Sequence, residues 1–171
     1  MEIAKNLFCF MPFMVCLCWF IIFTLQIRKN DSAKRWLTLF LGVCSVLYLC
    51  HALYFTMGQT VLQNAIWVLC SLSVYPLYYL YICRLCSKRV TGFMVSILLL
   101  PGVLVSLSNL FFPGEAPDAI RKVLFVLQIF PICYLGYNHL KKFDRELSEV
   151  YADTEGRDTT AVRHLLIAFM L

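Results

Sequence analysis

Charge is what this sequence has least of. Of its 171 residues 15% are charged and 61% hydrophobic, whereas a soluble domain carries roughly 25% charged residues. Between Trp36 and Cys83 there is no Asp, Glu, Lys or Arg at all. That run exceeds any helix of a soluble core, since even a membrane span needs only about 20 apolar residues. The shortage therefore selects lipid as the main solvent. Connectors this short leave no room for an independent soluble domain within the sequence, because such domains need at least about 50 residues. Nucleotide-binding folds, soluble catalytic domains and DNA-reading domains are excluded on that ground.

Other absences narrow the chemistry. The sequence has no Gly-rich phosphate loop, no HExxH zinc pattern and no GxSxG nucleophile turn. Its apolar stretches hold no carboxylate, so an intramembrane hydrolase would lack an acid–base pair. A proton- or ion-coupled transporter would lack a charged path. An enzyme is not expected, nor is a cofactor or a metal site.

Five apolar stretches are long enough to span: Leu7 to Ile27, Trp36 to Met57, Leu62 to Cys83, Thr91 to Phe112 and Val123 to Leu140. The first has a longer apolar core than a signal peptide, with Glu2 ahead of it and no small-residue cleavage site after it, and reads as a retained helix. A sixth run, Leu165 to Leu171, starts like the others and is too short to cross, so a truncated span from residue 164 is expected. The fold class is thus all-α, a polytopic transmembrane bundle with five full spans and the start of a sixth.

The basic residues set the direction. Arg28, Lys29, Lys34 and Arg35 follow the first stretch; Arg84, Lys88 and Arg89 the third; Lys141, Lys142, Arg145, Arg157 and Arg163 the fifth. Twelve of the fifteen basic residues thus occupy alternate connectors, and cytoplasmic loops carry the excess of Lys and Arg. The opposite connectors are a charge-free turn around Gly58 to Thr60 and the loop Pro113 to Lys122, where Glu115 and Asp118 match Arg121 and Lys122. A multi-pass protein of the cytoplasmic (inner) membrane with its N-terminus outside is expected. The net charge of +5 is then a matter of topology and anionic lipid, not of nucleic-acid contact by this chain.

Polar groups within the stretches are few. His51 is the one titratable residue well inside a stretch. Gln63, Asn64, Asn109 and Gln128 sit with it toward the outer side, where the five could line a pocket for a small ligand. Alternatively the amides bond between helices, each contributing about 0.6 kcal/mol. Pro12, Pro76, Pro101 and Pro131 interrupt stretches and are expected to bend them, as hinges or for packing alone. In the candidate hinge segment Tyr75-Pro76-Leu77-Tyr78-Tyr79-Leu80-Tyr81, Tyr78 and Tyr81 approach the cytoplasmic aromatic belt, while Tyr75 lies deeper and needs a hydroxyl partner. Seven of nine cysteines are scattered through the stretches as small hydrophobes. Cys83 and Cys86 have zinc or redox spacing but no second ligand pair, and Cys86 is chemically open to palmitoylation.

Beyond Leu140 the fifth helix continues, because Phe143, Leu147, Val150 and Tyr151 recur at helical spacing among charged residues. Residues 153–156 read as its stop and Asp158 as the N-cap of a following helix, making 141–163 a cytoplasmic helical hairpin.

The segments Ser71 to Ile82 and Tyr151 to Asp158 resemble the N-terminal membrane region of bacterial AraC-type helix-turn-helix regulators. The resemblance implies about seven spans ahead of a cytoplasmic DNA-binding domain that relays an extracytoplasmic or membrane signal. The sixth and seventh spans and the DNA-binding helices have no counterpart in this sequence. A small transporter or channel component, or a structural membrane subunit, is the competing reading. The partners expected are the bilayer, an unidentified small ligand and, for a homodimer, a second copy of the chain. The topology predicts that a Ser87→Cys variant in whole cells is reached by a permeant maleimide and not by an impermeant one; labelling by the impermeant reagent would refute it.

Overall fold

The computed structural model describes residues 2–27, 31–58, 60–112, 114–150 and 159–168. Six helices make up the described chain, with no strand among the described residues: α1 (Glu2–Gln26), α2 (Ser32–Met57), α3 (Val61–Leu85), α4 (Gly92–Phe111), α5 (Glu115–Val150) and α6 (Thr160–Ala168). The first five are long and apolar enough to cross a membrane, and the architecture is that of an all-α, multi-pass membrane bundle. Each helix continues through its internal proline, at Pro12, Pro76, Pro101 and Pro131.

Three helices start on side-chain caps. Asp31 accepts from the Lys34 amide at 3.1 Å, Thr60 from Gln63 at 3.2 Å and Thr91 from Met94 at 3.3 Å. Each satisfies one of the N–H groups that a helix start leaves without an internal acceptor. α3 ends in a Schellman arrangement: Ser87 takes a left-handed conformation (φ 56°), and the Lys88 amide donates to Cys83 O at 2.8 Å. That turn sends Lys88 back toward the bundle.

Layer order follows from burial. In its most apolar 18-residue window 72% of the residues of α3 are buried, against 33% or less in the matching window of each other long helix, and α3 packs on α2, α4 and α5. α1 packs on α2, and α6 on α5. Lipid is as apolar as leucine, so close approach and polar contacts, not water exclusion, must hold these helices together. Small residues permit the approach. A Cβ on Gly102 would stand 3.3 Å from the Leu72 Cβ and 3.6 Å from Leu69 O, and one on Gly42 would stand 3.0 Å from the Phe20 ring. Polar bonds add to it: Ser106 Oγ donates to Ala65 O at 2.8 Å on the same α3–α4 face, and Gln128 Nε2 donates to Leu98 O at 3.0 Å between α5 and α4.

Two expectations change. The segment after Pro113 is not an extended loop, because α5 begins at Glu115; Pro117 falls in its first turn, where the missing N–H costs no internal bond. Tyr78 is not in a lipid-facing belt, being 1% exposed and packed between α2 and α6 against Phe40 and Val162. The continuation past Leu140 is helical to Val150, whereas the expected stop at 153–156, the cap at Asp158 and Tyr151 lie outside the described residues.

A Gly102→Leu variant is expected to push α4 off α3 and lower stability by about 1–3 kcal/mol, the range for overpacking. Denaturation in mixed micelles measures it; unchanged stability would mean that α4 does not depend on this approach.

Candidate functional site

At the end of the bundle where α2 finishes and α3 and α5 begin lies a cavity of about 790 Å³. α2 contributes Cys50, His51 and Tyr54, and α3 contributes Gln63, Asn64 and Trp67. Gly114, Ala119, Arg121 and Lys122 close the side formed by α5 and the residue before it. Helical spacing explains the grouping: 50, 51 and 54 share one face of α2, and 63, 64 and 67 one face of α3. Gln63 also fastens those helices, its Nε2 donating to Cys50 O at 2.9 Å. The His51 ring lies edge-on to Phe55 at 5.2 Å. The Arg121 guanidinium stacks over the Trp67 ring, 4.5 Å from its centroid, a cation–π contact.

Three of the five expected pocket residues, His51, Gln63 and Asn64, therefore meet. Asn109 is 2% exposed within α4, and Gln128 is occupied in joining α5 to α4; neither lines the cavity. Tyr54, Trp67, Arg121 and Lys122 do line it without having been expected. The first two lay hidden among apolar neighbours, and the last two were assigned to topology and charge balance.

A second polar group occupies the opposite end. Lys88 Nζ lies 2.7 Å from His139 Nδ1. An ammonium can only donate, so Nδ1 accepts and the proton of the neutral ring sits on Nε2. Nε2–H then faces Tyr79 Oη at 3.2 Å, and the two rings stack at 5.9 Å. His139 stands one residue inside the last apolar stretch, so His51 is not the only histidine held within the spans. Beside this group Tyr78 Oη donates to Val162 O of α6 at 2.9 Å. Thr159 Oγ1 meets both Asp144 oxygens at 2.7 and 2.8 Å, and Arg163 approaches Asp144 at 3.8 Å. α6 is thus held by α3 and by α5.

No family model matches this chain, and neither a curated protein nor a solved structure matches it.

Of the hinge segment, Tyr75 sets its ring edge-on to Phe125 at 5.2 Å, Pro76 is fully buried, and Tyr78 and Tyr79 carry the bonds to α6 and α5. Tyr81 is half-buried and packs beside Tyr78 at 5.8 Å. Cys83 and Cys86 are both buried, and burial pushes the Cys86 thiol up to about 12. A buried thiol held protonated is a poorer acyl acceptor than an exposed one. No group of three or more His, Cys, Asp or Glu among the described residues could hold a metal.

Tyr78→Phe is expected to remove the side-chain donor from Val162 O and to destabilise the α6 contact by about 0.6–1.7 kcal/mol. Amide exchange over 160–168 should accelerate roughly three- to eighteenfold on that basis, with α1 and α2 unchanged. Unchanged exchange in α6 would show that the bond does not hold it.

Proposed function

We propose that this chain is the membrane-embedded sensing and anchoring module of a signalling protein. The cavity receives a small ligand, and α6 receives the resulting movement. One observation carries the reading: a single helix, α3, supplies Gln63, Asn64 and Trp67 to the cavity and Tyr78 and Tyr79 to the bonds that hold α6 and α5. Those positions are separated by about 21 Å along the helix, at 1.5 Å per residue. A buried rod with Pro76 between its two working ends can pass on a tilt or rotation, because α3 has close neighbours on three sides and little freedom to absorb the movement locally.

The basic connectors support a placement in the cytoplasmic membrane with the cavity facing outward and α6 at the cytoplasmic side. On the resemblance of Ser71 to Ile82 and Tyr151 to Asp158, the output is a cytoplasmic DNA-binding domain of the AraC type. The module itself carries no catalytic role in this reading. The rival, a small transporter, is disfavoured by the absence of carboxylates from the apolar stretches.

The test uses the full chain in nanodiscs. Replacing His51 and Gln63 together by leucine should change amide exchange across 160–168 at least about threefold, a change of the order of 0.6 kcal/mol in local opening. Exchange confined to the cavity end would defeat the sensing reading, as would solute flux through vesicles reconstituted with the chain.

A further inference from the structure

The charges at the cavity do not choose its ligand. Arg121, Lys122 and Asn64 have partners of their own, and the Arg121 guanidinium lies over the Trp67 ring. The starts of α3 and α5 are opposed by the ends of α2 and α4 at the same end of the bundle, so their helix poles offset one another. What stays open is a set of uncharged polar groups carried on aromatic walls.

His51 and Tyr54 each set a ring against Phe55, at 5.2 and 5.4 Å between centroids, and neither side chain makes a hydrogen bond among the described residues. The Trp67 indole N–H likewise has no acceptor among them. Gln63 gives Nε2 to Cys50 O, which brings its amide to the turn of α2 that bears His51 and Tyr54 and leaves Oε1 as an acceptor. A neutral imidazole offers one donor and one acceptor, and a phenol offers both on one oxygen. The open groups are therefore mixed donors and acceptors, and a ligand hydroxyl, which both donates and accepts, matches them.

The walls specify the rest. Trp67 packs on the buried Val68, Leu72 and Val105, so its ring is a fixed platform, and Gly114 and Ala119 on the α5 side are small enough to leave the space open. No carboxylate stands among the described lining residues, and the cations beside the cavity favour the negative face of an electron-rich ring over a cationic ligand. The volume of about 790 Å³ falls in the range of small-molecule sites, roughly 300–1,000 Å³.

We propose that the cavity binds an uncharged hydroxyaromatic compound, with its hydroxyl among His51, Tyr54 and Gln63 Oε1 and its ring against Trp67. The proposal rests on the reading of this cavity as the sensing site.

The full chain is placed in phosphatidylcholine nanodiscs at neutral pH, and ligand-observed fluorine NMR compares 4-fluorophenol, 4-fluoroanisole and 4-fluorobenzoate, with partition into empty discs subtracted. The phenol is uncharged there, since phenols ionise near pH ~10 as tyrosine does; the ether lacks the hydroxyl proton, and the benzoate is an anion. The phenol should bind saturably with millimolar or lower Kd, at least about threefold more tightly than the ether, as expected for one neutral hydrogen bond, and more tightly than benzoate. His51→Phe and Tyr54→Phe keep a ring and remove the polar atom, and each should bring the phenol toward parity with the ether. Equal binding of phenol and ether by the unmodified chain would overturn the assignment, as would tighter binding of benzoate or no phenol binding up to about 10 mM. Those comparisons do not depend on a variant that folds. The sensing reading fails separately: saturating 4-fluorophenol that leaves amide exchange over 160–168 unchanged refutes it while the ligand class stands.

Discussion

The enclosure of α3 is the constraint on which the rest of the structure depends. A helix in lipid gains nothing from hiding apolar side chains, because hydrocarbon receives them as readily as protein does. What keeps α3 inside is steric fit and a small number of directional bonds: Gly102 admits Leu72, Ser106 reaches Ala65 O, and Gln63 reaches Cys50 O. Because the fit involves α2, α4 and α5 simultaneously, a displacement of α3 cannot be accommodated by one neighbour alone. The helix is consequently the natural carrier between the two ends of the bundle.

Those two ends differ in kind. Around the cavity, polar groups of α2, α3 and α5 face an open space, and the charged partner of Trp67 stands on the far wall. At the opposite end several polar groups bond one another, while Arg84 Nε is buried with no partner. Lys88, His139 and Tyr79 form a chain from the connector after α3 through α5 and back to α3, and Asp144 with Thr159 and Arg163 secures α6. In the sensing role proposed above, the first arrangement serves recognition and the second transmission. The Schellman end of α3 contributes to the second, since the left-handed Ser87 aims Lys88 at His139.

Much of the fold was legible in the sequence because it depends on solvent preference alone. The five stretches and their charged connectors correspond closely to α1 to α5, and the recurrence of Phe143 with its neighbours foreshadowed the long continuation of α5. The caps at Asp31, Thr60 and Thr91 were equally visible in principle, each being a short acceptor just ahead of an apolar run. What composition could not supply was which faces meet. Five polar residues in the apolar stretches looked equivalent, yet His51, Gln63 and Asn64 share a cavity while Asn109 and Gln128 serve packing. Tyr78 stood at the depth of an interface belt, and its burial depends on α6, far away in sequence. Arg121 and Lys122 looked like loop charges because the start of α5 at Glu115 was not apparent from a segment containing Pro117.

The account stands or falls on energetic coupling along α3. The decisive measurement is a double-mutant cycle in nanodiscs that reads the opening free energy of α6 amides in Gln63→Leu, Tyr78→Phe and the double variant. Sites this far apart ordinarily add to within about 0.3–0.5 kcal/mol. Coupling clearly beyond that range is the predicted result, and simple additivity would contradict the claim that α3 links the cavity to α6.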